Sequence, residues 1–274
     1  MENVKAKLSA RVQAVKPSIT LAITAKFKEM KSEGIDVVGF GAGEPDFDTP
    51  DNIKQAAIKA IEAGKTKYTP AGGTVELKKA IQAKFKRENG LDYELNQITV
   101  NCGAKHSLYN IFQAIIDDGD EVIIPAPYWV SYPDMVLLAG GKPVIVETKE
   151  VDNFELDLEQ LKKAITDKTK AIVINSPSNP SGALYSKEKL AAIADFLADK
   201  NLYVISDDIY EHLVYEGSFI SMAAISSEMK EKTIVVNGVS KAYSMTGWRI
   251  GYTAGSADVI KAINTIQSQS TSNP

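Results

Sequence analysis

Cysteine, histidine and arginine are scarce in this chain, and each scarcity narrows what it can be. The single cysteine, Cys102, excludes an internal disulfide and fits a reducing compartment. The two histidines, His106 and His212, stand far apart and lack metal-ligand spacing, so both read as ordinary polar groups and no metal is expected. Arginine occurs only at positions 11, 87 and 249. A net charge of −4 gives no global basic field, which argues against nucleic acid or a membrane surface as partner. No apolar run approaches the roughly 20 residues that span a bilayer, and the start has no charged-then-apolar signal pattern. Repeats and low-complexity tracts are missing too. The expectation is a cytoplasmic protein. Hydrophobic residues make up 44% of 274, enough for one large α/β domain or one domain plus part of another.

Apolar runs supply the architecture. Strand-like stretches fall at Ile98 to Asn101, Glu121 to Pro125, Pro143 to Glu147, Ala171 to Asn175, Leu202 to Ser206 and Thr233 to Asn237. Helical stretches separate most of them, which predicts a mostly parallel sheet with helices on both faces. A seventh run, Ile250 to Ala254, follows the sixth after too few residues for a crossover helix, so it is expected to be antiparallel. Ahead of the sheet, Pro17-Ser18 opens a surface helix over Ile19 to Met30. Thr49 suits the N-cap and Pro50 the first position of a helix with Ile53, Ala57, Ala60 and Ile61 on one face and Gly64 as its stop. Lys65 to Gly73 is a loop containing Tyr68. A helix with Leu77, Ile81 and Phe85 on one face stops at Gly90, and an amphipathic stretch covers Ala257 to Gln267.

Ligands of open α/β sheets bind beyond the carboxyl ends of the strands, and the polar residues collect there. Gly103-Ala104-Lys105 follows the first run, Tyr128-Trp129 the second, Asn175 to Gly182 the fourth and Asp207-Asp208-Ile209-Tyr210 the fifth. After the sixth comes Gly238 to Gly251, with Lys241 and Arg249 at the same edge. A lysine able to form a Schiff base, beside a fixed cation for a phosphate, is what pyridoxal phosphate chemistry needs. Taken alone, the pair better suits a solvated lysine and a surface arginine in a hairpin loop. Gly103 admits close backbone approach, and the helix opening after it presents N–H groups to an anion. With Ser240 and Arg249 reaching that edge, a phosphate cup is the better reading than a plain strand-to-helix turn. Asp207 would keep a pyridinium nitrogen protonated, or serve as a cap or turn residue. Trp129 offers a face for ring stacking, although such an aromatic also fits a core. Asn179 and Tyr210 can each donate to the ring oxygen.

Whole motifs add to these residues. The lysine stretch is similar to the attachment signature of class I and II aminotransferases, small-x-small-Lys followed by Gly-x-Arg-x-Gly. Gly-Glu-Pro-Asp-Phe at 43 to 47, Lys-Tyr-Thr-Pro at 67 to 70 and Pro-Tyr-Trp-Val-Ser-Tyr-Pro at 127 to 133 point the same way. So do Asn-Ser-Pro-Ser-Asn-Pro-Ser-Gly at 175 to 182 and Met-Thr-Gly-Trp-Arg-Ile-Gly-Tyr at 245 to 252. From about Ser9 to its last residue the chain resembles fold-type I pyridoxal phosphate aminotransferases, in their bacterial aspartate aminotransferase branch.

The resemblance implies a large cofactor-binding domain at 49–274. It also implies an N-terminal arm with part of a small domain at 1–48. Lys241 is then the aldimine lysine and proton shuttle, Asp207 the partner of the ring nitrogen, and Asn179 and Tyr210 partners of the ring oxygen. Trp129 stacks on the ring, and Ser240, Arg249 and the backbone of Gly103, Ala104 and Lys105 hold the phosphate. Gly43, Trp129 and Asn179 face the substrate, and Lys105, Ser18 and Thr20 its distal carboxylate. Tyr68 reaches the partner subunit's phosphate site, which implies a homodimer; the residues alone favour a tyrosine packing locally. The implied reaction moves an amino group between an amino acid, most closely aspartate, and 2-oxoglutarate. A β-lyase or related fold-type I activity, or a cofactor-binding chain without turnover, shares the same cofactor residues. Family members continue past Pro274 into a small domain carrying the arginine for the substrate α-carboxylate. Arg11 and Arg87 read as surface groups, so this chain alone is expected to bind the cofactor weakly and to transaminate poorly.

Overall fold

The structure is a computed structural model that describes residues 8–41 and 43–274. Residues 1–7 of the expected arm, and Ala42 of the loop after it, lie outside the described residues.

Seven strands form one sheet: β1 (Ile98–Asn101), β2 (Glu121–Ala126), β3 (Lys142–Glu147), β4 (Thr169–Asn175), β5 (Tyr203–Asp207), β6 (Thr233–Gly238) and β7 (Gly251–Ala254). Their order is β1-β7-β6-β5-β4-β2-β3. Each expected run is a strand, because strands buried on both faces read as continuous apolar stretches. β7 pairs antiparallel with both β1 and β6, and the remaining pairs are parallel. Between β6 and β7 the chain makes only a short 3-10 turn at Thr246–Trp248, so it returns along β6 instead of crossing over.

Side chains alternate along each strand, so β2, β4, β5 and β6 each feed two cores. Val122, Ile124, Ala171, Val173, Ile205, Ile234 and Val236 point to one face. There they meet the buried sides of α5 (Ala104–Ile115), α6 (Ser131–Leu138) and α10 (Ala257–Ser268). Ile123, Ile172, Ile174 and Val204 point to the other, against α7 (Leu158–Ala164), α8 (Lys187–Leu197) and α9 (Ser227–Lys232). A third core under α4 (Val75–Lys84) joins Ile81 and Phe85 to Ile98, Val100, Val235 and Tyr252. The α/β class with helices on both faces is therefore observed. α4 ends in a π-helical turn, Phe85–Asn89, closed by Gly90 in the left-handed region, where a glycine carries no Cβ penalty.

The N-terminal elements differ. α1 (Ala10–Gln13), α2 (Ile19–Ser32) and α3 (Asp51–Glu62) contain no buried residue. Two expectations for α3 are corrected. Thr49 does not cap it: the cap position is Pro50, and the Thr49 hydroxyl is committed elsewhere, donating to the Ser244 carbonyl at 2.5 Å. Ile61 does not share the half-buried side of Ile53, Ala57 and Ala60 but is 66% exposed. Gly64 ends the helix as expected, at φ +71°. Among the described residues, no helix is long and apolar enough to cross a membrane.

Candidate active site

The turn after β6 is closed by its own backbone. Val239 N–H donates to Ile250 O at 3.2 Å, and Met245 N–H to Ser240 O at 3.1 Å. These bonds hold the buried Ser240 and its neighbour Lys241 at the carboxyl edge of the sheet. Lys241 Nζ donates to the Gly43 carbonyl, and Thr246 Oγ1 to the Glu44 carboxylate. Burial pushes the Lys241 ammonium below the usual lysine range; Glu44 opposes that, and Arg249 adds to it. A lysine lowered in this way is more readily neutral, the form that acts as a nucleophile.

Arg249 lies in the left-handed region at φ +58°, with Nη1 donating to Thr246 O at 2.7 Å and Nη2 to Cys102 O at 3.4 Å. Its guanidinium lies against Gly103, itself at φ +86°, where any Cβ would collide with Nη2. A Cβ on Gly251 would likewise collide with the Ala104 amide nitrogen. The two glycines thus bring a guanidinium and the first N–H groups of α5 to one place, which is an anion cradle. Lys105, in the first turn of α5, sits 5.0 Å over the Trp129 ring; burial lowers its pKa, and so does Arg249. Trp129 is half-buried in the turn before α6.

Asp207 ends β5, in register with Asn175 of β4 and Val236 of β6. Its buried carboxylate accepts from Tyr132 Oη at 2.6 Å and from Ile209 N–H at 3.4 Å. Burial raises its pKa to about 6, against both of those hydrogen bonds. Asn175 Nδ2 donates to Asp207 O at 2.9 Å and Asn175 Oδ1 accepts from Asn179 N–H at 2.8 Å. Asn179 Nδ2 in turn lies 3.4 Å from Tyr210 Oη, and Lys241 Nζ lies 6.0 Å from the Tyr210 ring centre. A hydrogen-bonded set from Asp207 through Asn175 and Asn179 to Tyr210 results, with Lys241 beside the Tyr210 ring.

A cavity of about 620 Å³ opens beside this edge, with Lys105, Arg249, His106 and Ser18 on its polar side and Tyr109 and Leu138 on its apolar side. Ser18 caps α2, accepting from Leu21 N–H at 3.5 Å. Thr20 lies within α2 and is not among the residues that line the cavity. Tyr68 is 94% exposed and bonds to no other site residue of this chain. Of the remaining arginines, Arg11 is exposed in α1 and Arg87 pairs with Glu88. Sequence reasoning missed the Tyr132–Asp207 bond, since Tyr132 was visible only as one letter of a motif. It also missed the grip of Gly43, Glu44 and Thr49 on the lysine turn, which no local pattern announces.

His212 Nε2 comes within 3.3 Å of Glu88 and 3.4 Å of Glu211. Lys84 already pairs with both carboxylates, and Asn237 donates to Glu211 at 2.9 Å, so both carboxylates already have partners in this chain. The residues at the strand edge fit pyridoxal phosphate better than a metal. They offer an amine, a buried carboxyl for a cationic ring nitrogen, and a cradle at Gly103 that a Cβ would fill.

Residues 35–274 match the family model "Aminotransferase class I and II". An aspartate aminotransferase of Bacillus sp. (strain YM-2) is 59% identical over 98% of this chain and 69% of that protein. A probable aspartate/prephenate aminotransferase of Rickettsia bellii is 59% identical over 97% of this chain and 67% of that protein. Among solved structures, the Thermus thermophilus aspartate aminotransferase with maleate superimposes with a TM-score of 0.95 at 51% identity. That match covers 98% of this chain and 70% of the Thermus chain.

Proposed function

This chain belongs to the class I and II aminotransferases, and on that premise we propose that it exchanges an amino group between aspartate and 2-oxoglutarate, using pyridoxal phosphate. The observation that carries the reading is the convergence at one sheet edge of an amine at Lys241, a buried carboxyl at Asp207 and a guanidinium seated on Gly103. When bound, pyridoxal phosphate supplies the electron sink for the charge left as the Cα–H bond of the amino acid breaks.

The chain's own residues do the rest. Lys241 is the attachment amine, and its Nζ takes the Cα proton and returns it; its lowered pKa favours the neutral form for that task. Asp207 would face the ring nitrogen. A cation there would draw its carboxyl back toward the charged form, and Tyr132 keeps it oriented. Asn179 and Tyr210 would donate to the ring oxygen, and Trp129 would cover the ring face. Arg249, Ser240 and the backbone at Gly103, Ala104 and Lys105 hold the phosphate, where a guanidinium gives two parallel hydrogen bonds. The Gly43 backbone faces the substrate, as do Trp129 and Asn179. Ser18, Thr20 and Lys105 serve the distal carboxylate; in support, Ser18 and Lys105 line one cavity.

The proposal includes a cytoplasmic homodimer in which Tyr68 completes the phosphate site of the other copy. The exposure of Tyr68 and of Ile58 and Ile61 on α3 supports that arrangement. The test is formation of glutamate from aspartate and 2-oxoglutarate, together with borohydride reduction and peptide mapping. Detectable glutamate formation, with label on Lys241, is expected. Release of pyruvate and ammonia without 2-oxoglutarate would replace the reading with a β-lyase, and label on another lysine would overturn the assignment of Lys241.

A further inference from the structure

Beneath the phosphate cradle lies a set of polar side chains sealed from water. Thr99 and Asn101 of β1, Ser107 and Asn110 of α5, Thr253 of β7 and Gln267 of α10 are each 0% exposed. Ile98 and Val100 point to the α4 core, so Thr99 and Asn101, by alternation, point to the side of α5 and α10.

Gln267 is the hub of this set. Its Oε1 accepts from Asn101 Nδ2 at 2.6 Å and from Asn110 Nδ2 at 3.1 Å. Its Nε2 donates to Ala71 O at 2.5 Å and to Val100 O at 2.8 Å. Both donor hydrogens and both lone pairs of the amide are used, the full capacity of a glutamine. Asn101 Oδ1 then accepts from Ser107 Oγ at 2.8 Å and Thr253 Oγ1 at 3.0 Å. The set ends on Gly103 itself: Gly103 N–H donates to Asn101 O at 2.7 Å, and Ser107 N–H to Gly103 O at 3.1 Å. The other end, Ala71, belongs to the loop that carries Tyr68. A single buried amide therefore ties together the strand before the cradle, the helix after it and that loop. Of these side chains only Asn110 leaves an atom, its Oδ1, without a partner; leaving more of such a network unpaired is costly, so its members fix one another's positions.

We propose that Gln267 is a positioning residue for the phosphate end of the site: through Asn101 and Ser107 it sets the backbone at Gly103 to Lys105, and through Ala71 it sets the Tyr68 loop. The proposal rests on the pyridoxal phosphate reading above. It goes further by assigning a role to a residue that touches neither cofactor nor substrate.

The test compares two probes on the full chain by calorimetry: pyridoxal phosphate, and pyridoxal, which lacks the phosphate. A network that sets the cradle affects the phosphate contacts and leaves the rest of the site alone. In Gln267→Leu the Kd for pyridoxal phosphate is expected to rise at least about tenfold, the usual scale for losing an outer-shell partner. The Kd for pyridoxal should change by less than about threefold. Thr253→Val, which removes one donor to Asn101 and keeps the shape of β7, should move the same ratio in the same direction by a smaller factor; it also decides the question if Gln267→Leu does not fold. An unchanged ratio in the folded variants, or equal loss of both probes, makes Gln267 a packing residue and overturns the proposal. If the unsubstituted protein shows no preference for pyridoxal phosphate over pyridoxal, the cofactor reading fails first, which separates the two.

Discussion

Residues 8–72 and residues 73–274 are built on opposite principles. No described residue before Gly73 is buried, whereas all three apolar cores lie beyond it. Leu21 is 67% exposed, Phe47 78% and Phe40 94%, while Ile205 and Val236 in the sheet are fully enclosed. Among the described residues, the long-range hydrogen bonds of 8–50 are also concentrated. Gly43, Glu44 and Thr49 reach Lys241, Ser244, Thr246 and Trp248, all in the lysine turn. The body is held by apolar burial and presents the site. The N-terminal segment is held by polar contacts to the lysine turn. Segments with few buried apolar contacts are the ones that open at low free-energy cost.

The largest effect should come where the body supplies chemistry. Asp207→Asn keeps the Tyr132 bond and the volume but cannot carry the charge that, on the proposed function, would face a cationic ring nitrogen. Turnover is expected to fall by about 10²- to 10³-fold, with a much smaller loss in pyridoxal phosphate affinity, since phosphate and lysine contacts remain. The check is kcat beside a cofactor Kd; equal losses in both would make Asp207 structural.

Next in size is the comparison itself, read as stability. Ile205→Ala, on β5, should lower unfolding free energy by about 2–5 kcal/mol through lost burial and a cavity. Leu21→Ala, on α2, should stay within about 0.5 kcal/mol in the same denaturant titration. A comparable loss at Leu21 would mean that the segment is covered in solution, and the contrast between the two regions would shrink.

How much of this was legible in the sequence follows the same division. The seven strands could be read because the body buries them on both faces, leaving apolar runs such as Ala171 to Asn175. The antiparallel return of β7 followed from chain length alone. Strand order did not, because β1 takes the edge beside β7, and no local pattern encodes which distant strands pair. Lys241, Arg249 and Gly103 were visible because they stand beside the ends of apolar strand runs and because the lysine stretch matches a whole signature. Tyr132 was not, since its bond to Asp207 spans 75 residues. In the N-terminal segment local rules failed at Thr49, where capping chemistry predicted one partner and the lysine turn supplied another.

A smaller, pH-dependent effect sharpens the account of the body. Asp208 is buried and its pKa is raised to about 8 by burial, against a hydrogen bond from Ser206 Oγ at 2.6 Å. Between about pH 4 and pH 8 the folded chain then holds a proton that the unfolded chain has released. Its contribution to stability is full below the ordinary carboxylate pKa and is lost as pH rises through the folded value. Asp208→Asn removes this dependence and leaves an acceptor for Ser206. The Tm of the variant minus that of the unsubstituted protein should therefore grow from pH 5 to pH 8. A constant difference would show that Asp208 does not titrate in that range.

The smallest effect is expected at the seam between the two regions. Thr49 Oγ1 donates to Ser244 O at 2.5 Å and accepts from Trp248 Nε1 at 3.0 Å, and it is only half-buried. Thr49→Val keeps the shape and removes both bonds. At a half-open site each bond is worth about 0.5 kcal/mol net, the low end of the usual range, so losing both costs about 1 kcal/mol. At about 1.4 kcal/mol per tenfold, that is a change of roughly fivefold in the opening equilibrium. The loss should be local. Amide hydrogen exchange near Thr49 and in the 241–248 turn should quicken by about that factor, while β4, β5 and β6, enclosed by two cores, should exchange at unchanged rates. If the central strands quicken equally, the segment and the body open as one cooperative unit, and the division drawn between them fails. If nothing quickens, the Thr49 bonds contribute nothing to the seam, and Gly43 and Glu44 alone hold the segment to the lysine turn.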